Sequence, residues 1–187
     1  MKRIAILGGT FNPIHLGHLV MAQTALEKMK LDQVVFVPSN IPPHKSSKSL
    51  ISAEDRYNMV RSAVRGHRGL SVSDVEIKRK GKSYSIDTVR EFSAKGTKLF
   101  FILGQDAFDG LKDWKRIGEL EDLVEFIVLN RPGSKKRRSR FKHHFIVMPN
   151  IEIASSDLRR MLANGQSVRY LVPDRVLKYI SRRKLYQ

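Results

Sequence analysis

The stretch "GGTFNPIHLGH" (8–18), directly after the apolar run "RIAIL", gathers residue types that can handle phosphate. Gly8 and Gly9 have no Cβ, so a ligand can approach the backbone closely there. His15 and His18 are three residues apart, which puts both imidazoles on one face of a helical turn. Two such rings donate hydrogen bonds to phosphate oxygens and, when protonated, offset charge that develops during phosphoryl chemistry. A metal site would need at least a third ligand, which the pair does not supply. Neither the dinucleotide fingerprint GxGxxG nor the Walker pattern is present. Asn12 and Pro13 read as the cap and first residue of a helix. Its free N–H groups would face a phosphate, with Gly17 leaving room between the histidines.

These residues must be held by the elements around them. Residues 3–7 form a doubly buried strand, and the apolar residues Leu16, Leu19, Val20 and Leu26 follow at helical spacing. "QVVFVP" (33–38) is a second buried strand, which completes a βαβ unit and implies a parallel sheet. The proline-bearing stretch 39–51 is a loop, and Ser52 caps a helix that ends near Gly66. "LSVSDVEIKR" (70–79) alternates as a strand does, and 81–96 runs from a turn into a helix closed by Gly96. "KLFFILG" (98–104), "VEFIVLN" (124–130) and "HHFIVMPN" (143–150) supply further strands. Two helices follow, one opened by Ser155 or Ser156 and one after Pro173. The pattern predicts an α/β fold, Rossmann-like and doubly wound, with a mainly parallel sheet and helices on both faces. Residues 1–187 read as a single domain, long enough for one core. Ligands of such sheets bind beyond the carboxyl ends of the strands, where 8–18, 38–45 and 104–106 all lie.

Composition narrows the classes. Lysine and arginine number 35 against 18 acidic residues, a net charge of +17, which favours anionic partners without naming them. Part of this excess sits in "RPGSKKRRSRFKHH" (131–144), which reads as a solvated basic loop, so specific nucleic-acid binding is not expected. No apolar run has the length of a membrane span, and "MKRIAILGG" reads as a first strand rather than a leader. The chain has no cysteine, which excludes disulfides and thiolate metal sites and fits the cytoplasm. The oligomeric state is not set by the sequence, and a homo-oligomer is compatible with it.

"GGTFNPIHLGH" resembles the first signature of the nucleotidyltransferase superfamily, (T/H)xGH preceded by GGTFDP, and "EIASSDLRRML" (152–162) resembles its second motif, ISSTxxR. Within that superfamily "NIPPHK", "SYSIDT", "FILGQDAFDGLKDW" and "YLVPDRVLKYI" resemble, in the same order, segments of the bacterial nicotinate-nucleotide adenylyltransferases. The resemblance spans nearly the whole chain. It implies one nucleotidyltransferase domain whose C-terminal helices, about 155–187, carry the second phosphate motif. The implied reaction is adenylyl transfer from ATP to nicotinate mononucleotide, giving nicotinic acid adenine dinucleotide and pyrophosphate in NAD biosynthesis. Magnesium is expected to arrive with ATP, with no metal ligands supplied by the protein.

The resemblance also implies roles. His15, His18 and Arg159 would act on the ATP phosphates; Gly8, Gly9, Thr10, Phe11, Gly104, Asp106, Ser155 and Ser156 would bind ATP. Lys45, Tyr84, Ser85, Thr88, Trp114 and Arg131 would hold the mononucleotide, with Trp114 stacked on the pyridine and Asp87 fixing the turn. Arg160, next to Arg159, points elsewhere on a helix. Three residues depart from the pattern: Asn12 for the usual aspartate, Asp157 for threonine and Gln105 for a small residue. Phosphopantetheine adenylyltransferase is disfavoured, because that family has threonine where His15 stands and a shorter chain. Preference for nicotinamide over nicotinate mononucleotide is left open by the sequence. A nucleic-acid-binding module is the alternative of a different class; it predicts salt-sensitive binding and no need for His18.

Overall fold

A computed structural model describes residues 1–42, 50–130 and 139–187. Its strands are β1 (Lys2–Gly9), β2 (Gln33–Pro38), β3 (Leu70–Val72), β4 (Thr97–Gly104), β5 (Glu125–Asn130) and β6 (His143–Val147). They form one sheet in the order β3-β2-β1-β4-β5-β6, with every neighbouring pair parallel. Sequence-consecutive strands run outward from β1 on one side and from β4 on the other, so the order reverses between these two central strands. That reversal leaves a crevice at their carboxyl ends.

Helices cover both faces because alternate residues of the strands are apolar on each side. Ala5, Leu7, Phe36, Phe100, Ile102 and Ile127 pack against one set of helices: α1 (Leu16–Lys28), α2 (Ala53–Val64), α7 (Ser155–Ala163) and α8 (Asp174–Arg183). Ile6, Val37, Phe101, Leu103, Phe126 and Val128 pack against the other set, α4 (Ser85–Phe92), α5 (Gln105–Asp109) and α6 (Ile117–Leu123). The Rossmann-like reading of the sequence is therefore the observed fold. Among the described residues, no helix is long and apolar enough to cross a membrane.

Several local readings are corrected. The stretch 70–79 is a strand only to Val72; the chain then turns into helix α3 (Val75–Arg79). Ser73 Oγ accepts the Val75 N–H, and the turn buries Glu76, which strand alternation would have exposed. Helix α1 begins at Leu16 with His15 as its cap, not at Pro13; the Asn12–Pro13 peptide is cis. Helix α4 ends at Phe92, and Gly96, at φ +83°, serves the turn into β4 instead. Ala154 caps α7, which frees the Ser155 side chain for a longer-range bond. Helices α5 and α6 are too short to show a period in the sequence.

Candidate active site

A cleft of about 730 Å³ opens at the carboxyl ends of β1 and β4, where the strand order reverses. Gly8, His15, His18, Gly104 and Asp106 all line it, so residues almost 100 positions apart meet as the topology requires. Asp106 is the one carboxylate among the described lining residues. The segment after β6 also lines it, through Met148, Ile151 and Ile153. The cleft therefore combines polar groups with apolar surface, as an aromatic base with a phosphate tail would need.

The two histidines are held as a pair. Their rings stack with centroids 3.7 Å apart, and His15 donates its backbone N–H to His18 Nδ1 at 3.3 Å. His15 is only 6% exposed, and burial pulls its pKa down to about 4, so at neutral pH the ring is uncharged. Its Nδ1 is buried with no hydrogen-bond partner among the described residues. A buried polar atom left unpaired is costly, and such atoms often mark where a ligand completes the bonding. Of the first amides of α1, Leu16 N–H is already donated to the Leu171 carbonyl at 3.0 Å. Gly17 N–H keeps no such partner among the described residues, and Gly17 lines the cleft.

The glycines work differently from the sequence reading. A Cβ on Gly17 would stand 3.0 Å from His15 Nδ1, so this glycine makes room for the imidazole. A Cβ on Gly9 would stand 2.8 Å from the Phe11 ring. Phe11 itself is 2% exposed at φ +49° and packs edge-on against His18 at 5.0 Å. It packs against His18 and is not among the described residues that line the cleft.

The loop between β1 and α1 is tied down from several directions. Thr10 carbonyl accepts from Arg56 Nη1 at 2.8 Å, and Asn12 carbonyl accepts from Arg159 Nη1 at 2.9 Å. Pro13 carbonyl accepts from Ser155 Oγ at 2.9 Å. Ser155 and Arg159 thus reach the first motif from the second, across 142 and 147 residues. Ser156 is exposed, and Arg160 turns away to pair with Asp157 at 3.0 Å, as its position on the helix predicts.

A second cluster forms beside β2. Asn40 donates its N–H to Ser83 Oγ at 2.9 Å, and Ser83 donates its own to the Ile41 carbonyl at 3.0 Å. The segments around 40 and 84 are thereby joined. Lys115 Nζ lies 4.0 Å from the Tyr84 ring centre, and Trp114 packs edge-on against Phe101 at 5.7 Å, which brings 84 and 114 together. Ser85 opens α4 and is partly exposed. Thr88 is 1% exposed and its hydroxyl donates to Glu76 at 2.5 Å, so it braces the segment from inside. Burial raises the Glu76 pKa, countered by hydrogen bonds from Ser83 and Thr88 and by the charge of Arg79. Lys45 and Arg131 lie outside the described residues.

Comparison with known proteins agrees with this geometry. Residues 6–161 match the cytidylyltransferase-like family. A probable nicotinate-nucleotide adenylyltransferase of Shouchella clausii is 46% identical, over 100% of this chain and 97% of the relative. One from Lactiplantibacillus plantarum is 42% identical, over 100% and 89%. The chain belongs to the nicotinate-nucleotide adenylyltransferases. Among solved structures, the nicotinic acid mononucleotide adenylyltransferase of Plasmodium falciparum complexed with NaAD superposes with a TM-score of 0.79. It is 21% identical, and the likeness covers 100% of this chain and 98% of that one, which shows a shared fold.

In this adenylyltransferase two structural residues escaped sequence reasoning. Arg56 is 1% exposed and donates to the carbonyls of Thr10, Asn40 and Ile51. Its signal was an arginine in register with Met59, Val60 and Val64 on the apolar face of α2. Tyr186 donates its hydroxyl to Asn12 Oδ1 at 2.8 Å, across 174 residues, and no local pattern announces such a bond.

Proposed function

We infer that the chain transfers the adenylyl group of ATP to nicotinate mononucleotide, forming nicotinic acid adenine dinucleotide and pyrophosphate in NAD biosynthesis. The observation that carries this reading is the cleft at the β1–β4 reversal, which gathers Gly8, His15, His18, Gly104 and Asp106. The names of relatives matched along the whole chain support the substrate pair.

An oxygen of the mononucleotide 5′-phosphate attacks the α-phosphorus of ATP; the new P–O bond forms as the bond to the β-phosphate oxygen breaks and pyrophosphate leaves. No protein nucleophile is needed, so the chain contributes position and charge. His15 Nδ1 and the Gly17 N–H, both without partners among the described residues, are the donors best placed for triphosphate oxygens. A neutral His15 donates a hydrogen bond, and a phosphate nearby would favour its protonation. His18, stacked on it, completes the pair. Ser155, Ser156 and Arg159 are assigned to the β- and γ-phosphates. Arg159 would have to exchange the Asn12 carbonyl for phosphate, a stronger acceptor.

Gly104 and Asp106 are assigned to the ribose side of the cleft, and Gly8, Gly9, Thr10 and Phe11 to shaping its floor. Tyr84, Ser85 and Trp114 are assigned to the nicotinate mononucleotide, with Thr88 bracing that segment and Lys45 and Arg131 as added cations. Among the described residues, no three His, Cys, Asp or Glu side chains gather to hold a metal ion. Among the described residues Asp106 offers the one carboxylate in the cleft, which fits a magnesium ion carried by the triphosphate and reached through water. Such an ion would neutralise charge on the leaving pyrophosphate.

The decisive measurement is pyrophosphate release from ATP and magnesium, with nicotinate and nicotinamide mononucleotides compared. Release with the nicotinate form is expected. Silence with both, from folded protein, would sink the reading, and a strong preference for the amide would correct the substrate.

A further inference from the structure

We infer that Tyr186 is a positioning residue for adenylyl transfer: its hydroxyl, through Asn12, sets the loop that holds His15 and His18. The inference rests on the proposed role of those histidines. Tyr186 lies in the segment that follows α8, far from the cleft in sequence, yet its hydroxyl donates to Asn12 Oδ1 at 2.8 Å. Asn12 is 3% exposed and its backbone carbonyl is held by Arg159, so side chain and main chain of this one residue are both anchored by the C-terminal helical region. Phe11, on one side of Asn12, packs edge-on against His18, and His15, three residues on, caps α1. A shift of Asn12 would therefore move the support of one imidazole and the backbone of the other.

The phenol is suited to this work. Burial pushes the Tyr186 pKa up, outweighing the nearby guanidinium groups of Arg159 and Arg56 that favour ionisation, so the hydroxyl remains a donor. Its backbone is anchored too. Lys184, at φ +49°, ends α8, and the Leu185 N–H returns to the Ile180 carbonyl at 3.1 Å. Helix α8 is fixed on α2 through Asp55 Oδ1, which accepts from Tyr179 at 2.8 Å and from Arg183 Nε at 3.3 Å. A chain of named contacts thus runs from α2 through α8 to Asn12 and on to the histidines, and none of its members before the histidines lines the cleft.

The test is Tyr186→Phe, which removes only the hydroxyl. We expect kcat for pyrophosphate release to fall about tenfold, the size of one ordinary hydrogen bond, with KM for both substrates unchanged. In an Asn12→Ala background the same change should cost nothing further, because the bond is already gone. Additive losses, or a change in KM alone, would overturn the inference. In the ligand-free protein the imidazole resonances of His15 and His18 should shift in Tyr186→Phe. Resonances that stay in place would overturn it as well. Wild-type protein silent with both mononucleotides would sink the functional reading alone, and the imidazole resonances would still decide whether Tyr186 sets the histidines.

Discussion

The two ends of the sheet treat buried polar groups in opposite ways. At the amino ends of β4, β5 and β6, Glu125 is nearly buried, and both its oxygens are taken. Oε1 meets Lys98 at 3.0 Å and Lys142 at 2.6 Å, and Oε2 meets His144 at 2.7 Å. Burial alone would raise the Glu125 pKa, but hydrogen bonds from Lys142, His144 and Lys98 outweigh it and hold the pKa at about 2. At the carboxyl ends, His15 is equally buried, its Nδ1 has no partner among the described residues, and burial acts on it unopposed. One end is complete without a ligand, whereas the other keeps an unpaired ring nitrogen on a residue that lines a cleft. Under the proposed function, the contrast separates a group that stabilises the fold from one that is held ready for a substrate.

That contrast can be broken experimentally. The largest effect should come from the carboxyl end: His18→Ala should lower kcat by about a hundredfold or more, with circular dichroism and melting little changed. Urea unfolding of Arg56→Met should show a loss of roughly 3 kcal/mol or more, because three buried carbonyls lose their donor at once. A loss below about 1 kcal/mol would mean that water replaces the guanidinium.

The pH dependence sharpens the comparison, since the two ends titrate in windows that overlap only between about pH 4 and 4.5. His15 binds a proton more weakly folded, at about 4, than unfolded, near 6.5. Its contribution is therefore present above 6.5 and declines as pH falls toward 4, by roughly 3 kcal/mol in total. A His15→Gln variant should lack that decline in a urea titration. Glu125 is depressed from 4.5 to about 2, so its contribution is present above pH 4.5 and is lost below it. Glu125→Gln should remove only this lower limb. It should cost about 1 kcal/mol at neutral pH and leave pyrophosphate release unchanged, because its lysine partners are partly exposed and can return to water. Loss of activity in that variant would show that the amino end is not functionally separate.

Much of this was readable from residue patterns. The strands β1, β2, β4, β5 and β6 are continuous apolar runs because both faces are covered, and such runs are local signals. Helices α1, α2, α7 and α8 likewise show their period, and the glycine pair with its two histidines marked the end of the sheet where the cleft lies. The 70–79 stretch misled because three alternating residues cannot tell a strand from the start of a helix that buries one glutamate. Asn12 was read as a cap because Asx-Pro commonly opens helices, but its buried side chain is instead the acceptor for Tyr186.

The sequence by itself determined the parallel α/β sheet, the end of it that holds the candidate site and the kinship of its motifs, since each is written in spacing between near neighbours. Only the tertiary structure decided that Gly9 yields to Phe11, Gly17 to His15, and that Arg56, Arg159, Ser155 and Tyr186 converge on one short loop. Those contacts join residues up to 174 positions apart, and they exist because burial leaves polar groups no water to bond with and so selects partners by position in space.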